Sequence, residues 1–209
     1  MCAGRNCCAG VARSRVMKCL TRFAVCLAAL AAIMGAPLLS AEPKALAICM
    51  ACHGKEGVGI NADYANLGGQ NAAYLVLQLQ AFRSGERKNV VMNGMAAGLT
   101  DADIDELADW YARQPWVIAD NGNPNLVEEG LNRAGYCHAC HGMKGYPVAK
   151  DWPILAGQSA LYLDNQLQAY KSGTRYHPLM VNVVKDLEPS AMTALASYYT
   201  QLNGAAAPQ

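Results

Sequence analysis

The sequence predicts an all-α protein built from two copies of one domain in tandem. Three observations carry that expectation. Apolar residues recur at helical spacing and no strand-like alternation is present. A long segment repeats at a fixed offset of 88 residues without a gap. Each copy opens on the same pattern, Cys49-Met50-Ala51-Cys52-His53 and Cys137-His138-Ala139-Cys140-His141.

The offset aligns Gly69-Gln70 with Gly157-Gln158, Tyr74-Leu75 with Tyr162-Leu163, Gln78 to Ala81 with Gln166 to Ala169, and Arg87 with Arg175. From Cys49 to Gln114, 25 of 66 aligned positions are identical, which makes the chain an internal duplication.

Taken in order, the chain opens on a basic, cysteine-rich stretch, and Met17 to Arg22 then forms a short basic region. The apolar run Phe23 to Leu39 and the small residues Ser40-Ala41 complete a secretory leader, residues 1–41. The basic region fits that role better if translation starts at Met17. Cleavage after Ala41 leaves 168 residues. Residues 42–117 are expected to form the first domain, 118–124 a linker, 125–204 the second domain, and 205–209 a disordered tail.

In the first copy Asn71 is placed to cap a helix carrying Tyr74, Leu75, Gln78, Leu79 and Phe82 on one face, and Gly85 ends it. Thr100 with Asp103 reads as a capping box ahead of Ile104, Leu107, Ala108 and Tyr111. Asn121-Gly122-Asn123-Pro124 is turn chemistry in a link short enough to keep the domains in contact. Pro124 and Asn125 open a helix with Leu126, Val127, Leu131 and Tyr136 as its expected apolar residues. The second copy closes on Pro189, Met192, Leu195, Ala196 and Tyr199.

After cleavage nine cysteines become four, namely Cys49, Cys52, Cys137 and Cys140. All four belong to the two Cys-x-x-Cys-His patterns, so none is left for a disulfide. A zinc site would need two such pairs folded into one cage. A thioredoxin-type dithiol would need a βαβ setting and no histidine. Cys-x-x-Cys-His is the attachment pattern of c-type haem: the thiols bond the two vinyl groups, and the histidine ligates the iron. Two haem c groups, held on His53 and His141, are expected. They also serve as staples for domains too small to bury a large core.

Residues 42–209 hold twelve Lys and Arg against sixteen Asp and Glu, a net of −4. That balance argues against a nucleic-acid partner.

The second axial ligand separates a carrier from an enzyme. Met92 and Met180 are the one pair of methionines that the offset matches, each 39 residues after its histidine. Met192 falls on a core face, and Met50 and Met143 lie too near the attachment motifs. His177 is a rival ligand, but its counterpart is Asn89. A thioether ligand stabilises ferrous iron and closes the site to oxygen or peroxide, favouring electron transfer over catalysis.

The order Cys-x-x-Cys-His, Leu-[Gly/Ala]-Gly-Gln, Tyr-Leu-x-x-Gln-Leu, Ser-Gly-x-Arg, then methionine, resembles the dihaem cytochromes c of the cytochrome c4 family. The resemblance covers nearly all of the mature chain. It implies two class I cytochrome c domains and an exported electron carrier, placed in the periplasm. It also implies His53 with Met92 on one iron and His141 with Met180 on the other. In this fold a proline carbonyl usually accepts the bond from the proximal histidine. Pro153 fits, whereas the first copy has Ala65. Gln70, Tyr74, Arg87, Gln158, Tyr162 and Arg175 recur around the haem segments. Haem propionate contacts and ordinary helix solvation or packing both account for them.

The resemblance implies redox proteins as partners and no small-molecule substrate. The first reading is a carrier between a quinol-cytochrome c reductase and a terminal oxidase or reductase, with peripheral association with the inner membrane compatible. The alternative is the haem subunit of a dehydrogenase, such as a sulfide-oxidising flavocytochrome c. A dihaem peroxidase would be longer and would need an open iron. Mass spectrometry of the denatured mature protein should show two haems added to a chain starting near Glu42. One haem, or a surviving disulfide, would contradict the assignment.

Overall fold

The computed structural model describes residues 42–202; the expected leader and tail lie outside the described residues. Among the described residues all regular structure is helical. No helix there is long and apolar enough to cross a membrane.

Four helices make the first half: α1 (Leu46–His53), α2 (Ala72–Ser84), α3 (Val90–Ala96) and α4 (Asp101–Ala112). A 3-10 turn (Pro124–Leu126) and five helices make the second: α5 (Val127–Arg133), α6 (Gly135–His141), α7 (Ala160–Ser172), α8 (Pro178–Val184) and α9 (Pro189–Thr200). The expected capping box is present, with Thr100 and Asp103 satisfying each other's backbone N–H. Gly85 ends α2 in the left-handed conformation.

The repeat is visible in both cores. Leu46, Leu75, Leu107, Ala108 and Tyr111 cluster between α1, α2 and α4. Leu163, Leu195, Ala196 and Tyr199 occupy the matching places, joined by Ala134, Ala160 and Tyr198.

The halves differ in how fully the last helix is covered. α4 turns Asp101, Asp105, Glu106 and Asp109 to solvent. On α9 all residues from Ala194 to Thr200 are buried, because α5 and the connection cross its outer face. A Cβ at Gly130 of α5 would sit 2.1 Å from the Ala194 carbonyl oxygen, so only glycine permits this approach. Where α4 has Asp109, α9 has Ser197, whose hydroxyl accepts the Asn123 N–H.

Three expectations need correction. Asn71 sits at the N-cap of α2, but its side chain caps nothing; its amide donates to the Trp152 carbonyl of the second half. Leu131 and Tyr136 are 48 % and 87 % exposed; Leu131 lies on the solvent side of α5, and Tyr136 falls after the break at Ala134, so the apolar spacing does not run on to it. The connection is more than solvated turn chemistry. Ala119 N–H donates to the Gly157 carbonyl, and Asn121 takes N–H from Ala160 and O–H from Thr200. Pro115 and Trp116 press on Gly68 and Gly69, so the segment touches both halves.

Leu107, 1 % exposed, should destabilise the protein by about 2–5 kcal/mol when replaced by alanine. Leu131→Ala should change stability by less than about 0.5 kcal/mol. Denaturant midpoints measured on both variants check the contrast.

Candidate haem-binding sites

Each attachment motif lies on a helix. Cys49, Cys52 and His53 occupy the last turns of α1, and Cys137, Cys140 and His141 those of α6. Positions three apart share a helix face, which brings the two thiols of each pair to one side. Gly54 and Gly142 then turn the chain at φ 68° and 75°. A Cβ at Gly54 would lie 2.5 Å from the Val58 carbonyl oxygen, so the loop closes tightly behind the motif. The four cysteines are unpaired. Burial pushes the Cys49 and Cys137 thiols up, the opposite of what a thiolate metal site or redox dithiol requires. Among the described residues no three His, Cys, Asp or Glu side chains converge to hold a bare metal ion.

His53 Nδ1 donates to the Ala65 carbonyl at 2.9 Å, and His141 Nδ1 to the Pro153 carbonyl at 3.3 Å. Proline is therefore dispensable for this contact, as any backbone carbonyl serves. Burial lowers both histidines' pKa, and in each the bond to the backbone carbonyl opposes it. A neutral ring with Nδ1–H committed leaves the Nε2 lone pair for a metal. His177, exposed at the start of α8, adds a smaller repulsion on His141.

Met92 and Met180 each take the third position of a short helix, α3 and α8, and are half-buried. Asn89 holds the Met92 N–H with its side chain, whereas α8 begins on Pro178. Met192 is core at 1 % exposure, and Met95 and Met143 are largely exposed. Tyr111 donates to the Gly54 carbonyl at 3.2 Å. Tyr199, at the matching place, is buried with its hydroxyl against the Cys137 thiol.

The six recurrent polar residues meet at one seam, where each half reaches into the other. Gln70 donates to the Ile154 carbonyl (3.0 Å) and accepts its N–H (2.8 Å). Gln158 does the same to Asn66, at 2.8 Å in both directions. Arg87 bonds Gln78 of its own half and both Tyr162 and Gln166 of the other. Arg175 bonds Gln166 of its own half and both Tyr74 and Gln78 of the other. Two arginines and two glutamine carbonyls thus close a ring.

Arg87 and Arg175 are 9 % and 7 % exposed, and no carboxylate pairs with either among the described residues. Burial would raise the Tyr162 hydroxyl, but the two guanidinium charges outweigh it and lower its pKa. Two buried cations with only neutral acceptors suit a cofactor that brings its own carboxylates. The thiols, the neutral histidines and this cationic seam together fit two covalent haems.

Sequence reasoning missed Gln78, Gln166, Asn66 and Ile154. The two glutamines were visible as identical repeat positions. It also missed Trp116, whose indole N–H is buried without a partner beside Gly157 and against Tyr146.

No family model matches the chain. A thiosulfate dehydrogenase electron acceptor from Stutzerimonas stutzeri is 34% identical, over 78% of this chain and 82% of that relative. A cytochrome c4 from Pseudomonas aeruginosa is 31% identical, over 75% of this chain and 85% of that relative. The chain belongs to the cytochrome c4 family. The crystal structure of reduced cytochrome c4 from Pseudomonas stutzeri agrees, with a TM-score of 0.74 at 28% identity, over 80% of this chain and all of that one. The fold is a tandem of class I cytochrome c domains, and the cofactors are two covalent haem c groups. The protein transfers electrons to and from redox protein partners and is not an enzyme.

Proposed function

We propose that the chain is a periplasmic dihaem shuttle that passes electrons from a quinol-oxidising complex to a terminal oxidase or reductase. The paired histidines, each with Nδ1 fixed on a backbone carbonyl, carry this reading. The leader-like residues 1–41 support export, and peripheral contact with the inner membrane is compatible with it.

Haem, when bound, supplies a one-electron ferric–ferrous couple. The residues of this chain hold and tune it. Cys49, Cys52, Cys137 and Cys140 anchor the two groups. His53 and His141 would present Nε2 to the iron, and Met92 and Met180 would offer it their thioethers. Arg87, Arg175, Tyr74, Tyr162, Gln70 and Gln158 line the seam where propionates would find cationic and polar partners.

A second reading is favoured by a particular likeness. Besides the Stutzerimonas relative, a thiosulfate dehydrogenase electron acceptor from Thiomonas intermedia is 36% identical, over 65% of this chain and 68% of that relative. A thiosulfate dehydrogenase structure from Marichromatium purpuratum matches at TM-score 0.70 and 32% identity, over 76% of this chain but 37% of that one. The donor would then be a dehydrogenase of sulfur compounds, one acting on thiosulfate in preference to a sulfide-oxidising flavocytochrome. Stopped-flow reduction by each purified donor separates the readings: the physiological one gives the faster, saturable transfer.

Met92→Ala or Met180→Ala should open one iron to carbon monoxide in the ferrous state and lower that haem's potential, whereas the unaltered ferrous protein should bind none. A variant that stays six-coordinate at unchanged potential would show the wrong methionine, with His177→Ala the next to test in the second half. Arg87→Gln and Arg175→Gln should lower haem potentials in a redox titration, because a nearby cation favours ferrous iron. If the arginines only pin the seam, the melting temperature falls and the potentials stay.

A further inference from the structure

The seam bonds to Asn66 and Ile154 involve more than contact between halves. The Ala65 carbonyl that accepts from His53 and the Asn66 N–H that donates to Gln158 belong to one peptide group. The same holds for the Pro153 carbonyl, which accepts from His141, and the Ile154 N–H, which donates to Gln70. Two continuous hydrogen-bond chains result. One runs His53 Nδ1–H, peptide 65–66, Gln158; the other runs His141 Nδ1–H, peptide 153–154, Gln70. Each crosses from one half to the other.

The glutamine ends of these chains are fixed. Gln158 Oε1 also accepts the Ser159 N–H at 2.9 Å, and Gln70 Oε1 the Asn71 N–H at 3.0 Å. Every group facing either Oε1 is a backbone donor, which settles the amide orientation. All four participants, Asn66, Gln70, Ile154 and Gln158, are buried, so water does not compete. A peptide whose N–H is bonded carries more charge on its oxygen. Such polarisation strengthens the next bond by about 10–30%. A stronger acceptor on Nδ1–H makes the imidazole more basic toward a metal on Nε2.

We infer that each half supplies the outer hydrogen-bonding shell for the other half's proximal histidine: Gln158 is a positioning and tuning residue for His53, and Gln70 for His141. This rests on the reading of His53 and His141 as iron ligands. A more basic imidazole stabilises ferric iron, so both glutamines hold down the potential of the haem in the opposite half. The bond at His53 is the shorter, 2.9 Å against 3.3 Å, so Gln158 has the larger effect.

The test is a redox titration of the holoprotein with four variants, the haems distinguished by Met92→Ala or Met180→Ala backgrounds. Gln158→Leu should raise the potential of the His53 haem and leave the His141 haem in place. Gln70→Leu should do the reverse, with a smaller shift. Gln158→Met, closer in shape, should act as Gln158→Leu does and replaces it if that variant fails to load haem. Gln158→Glu keeps an acceptor and should not raise the potential. A shift confined to the glutamine's own half, an equal shift at both haems, no shift, or a rise with the glutamate variant would overturn the inference. Resonance Raman of the ferrous Met92→Ala protein reports the iron–histidine stretch. Absence of that band would overturn the ligand reading itself. A band that Gln158→Leu fails to move to lower frequency would overturn the crossed tuning alone.

Discussion

Buried positive charge without a carboxylate beside it is the constraint around which the two halves are arranged. A guanidinium withdrawn from water costs several kcal/mol unless it finds strong acceptors. Arg87 and Arg175 find four, two glutamine carbonyls and two phenol oxygens, and in each case acceptors come from both halves. Neither half could satisfy its arginine alone. The demand for acceptors therefore holds the halves to one relative placement.

The duplication does not make the halves equivalent. α4 keeps an acidic face toward water, while α9 has lost those charges and is covered by α5 and the connection. The loss follows from the covering, because an aspartate at the Ser197 position would be buried against the Asn123 backbone. Trp110 and Tyr198 show the opposite case. They occupy matching places, and each donates to the carbonyl two residues past its histidine, Lys55 or Met143, although their rings differ. Where the repeat faces a haem site its contacts persist, and where it faces outward its chemistry diverges.

Much of this was legible in the sequence. Attachment chemistry is local, so five consecutive residues reveal it, and a gapless repeat reveals the duplication. Capping at Thr100 and termination at Gly85 were readable for the same reason. The seam was not readable in detail. The partners of Gln70 and Gln158 are backbone atoms of Ile154 and Asn66, and a backbone acceptor leaves no side-chain signature. That is why those two positions differ freely in side chain although they do the same work. Tyr136 misled because helical spacing was followed through a break at Ala134, where Gly135 opens a new helix. Asn71 sat where a cap belongs, but an amide can serve a distant carbonyl as readily as its own helix.

The residue that holds the Asn66 peptide lies 92 positions further along the chain. A chain emerging from its N-terminus presents Cys49, Cys52 and His53 long before Gln158 exists. The first attachment site can thus receive its cofactor while its outer shell is still missing, and it reaches its final electronic character when the second half docks. The first half made alone would lack that outer shell and also two of the acceptors that Arg87 needs. A site whose attachment residues lie entirely in the first half is thus completed by a residue of the second.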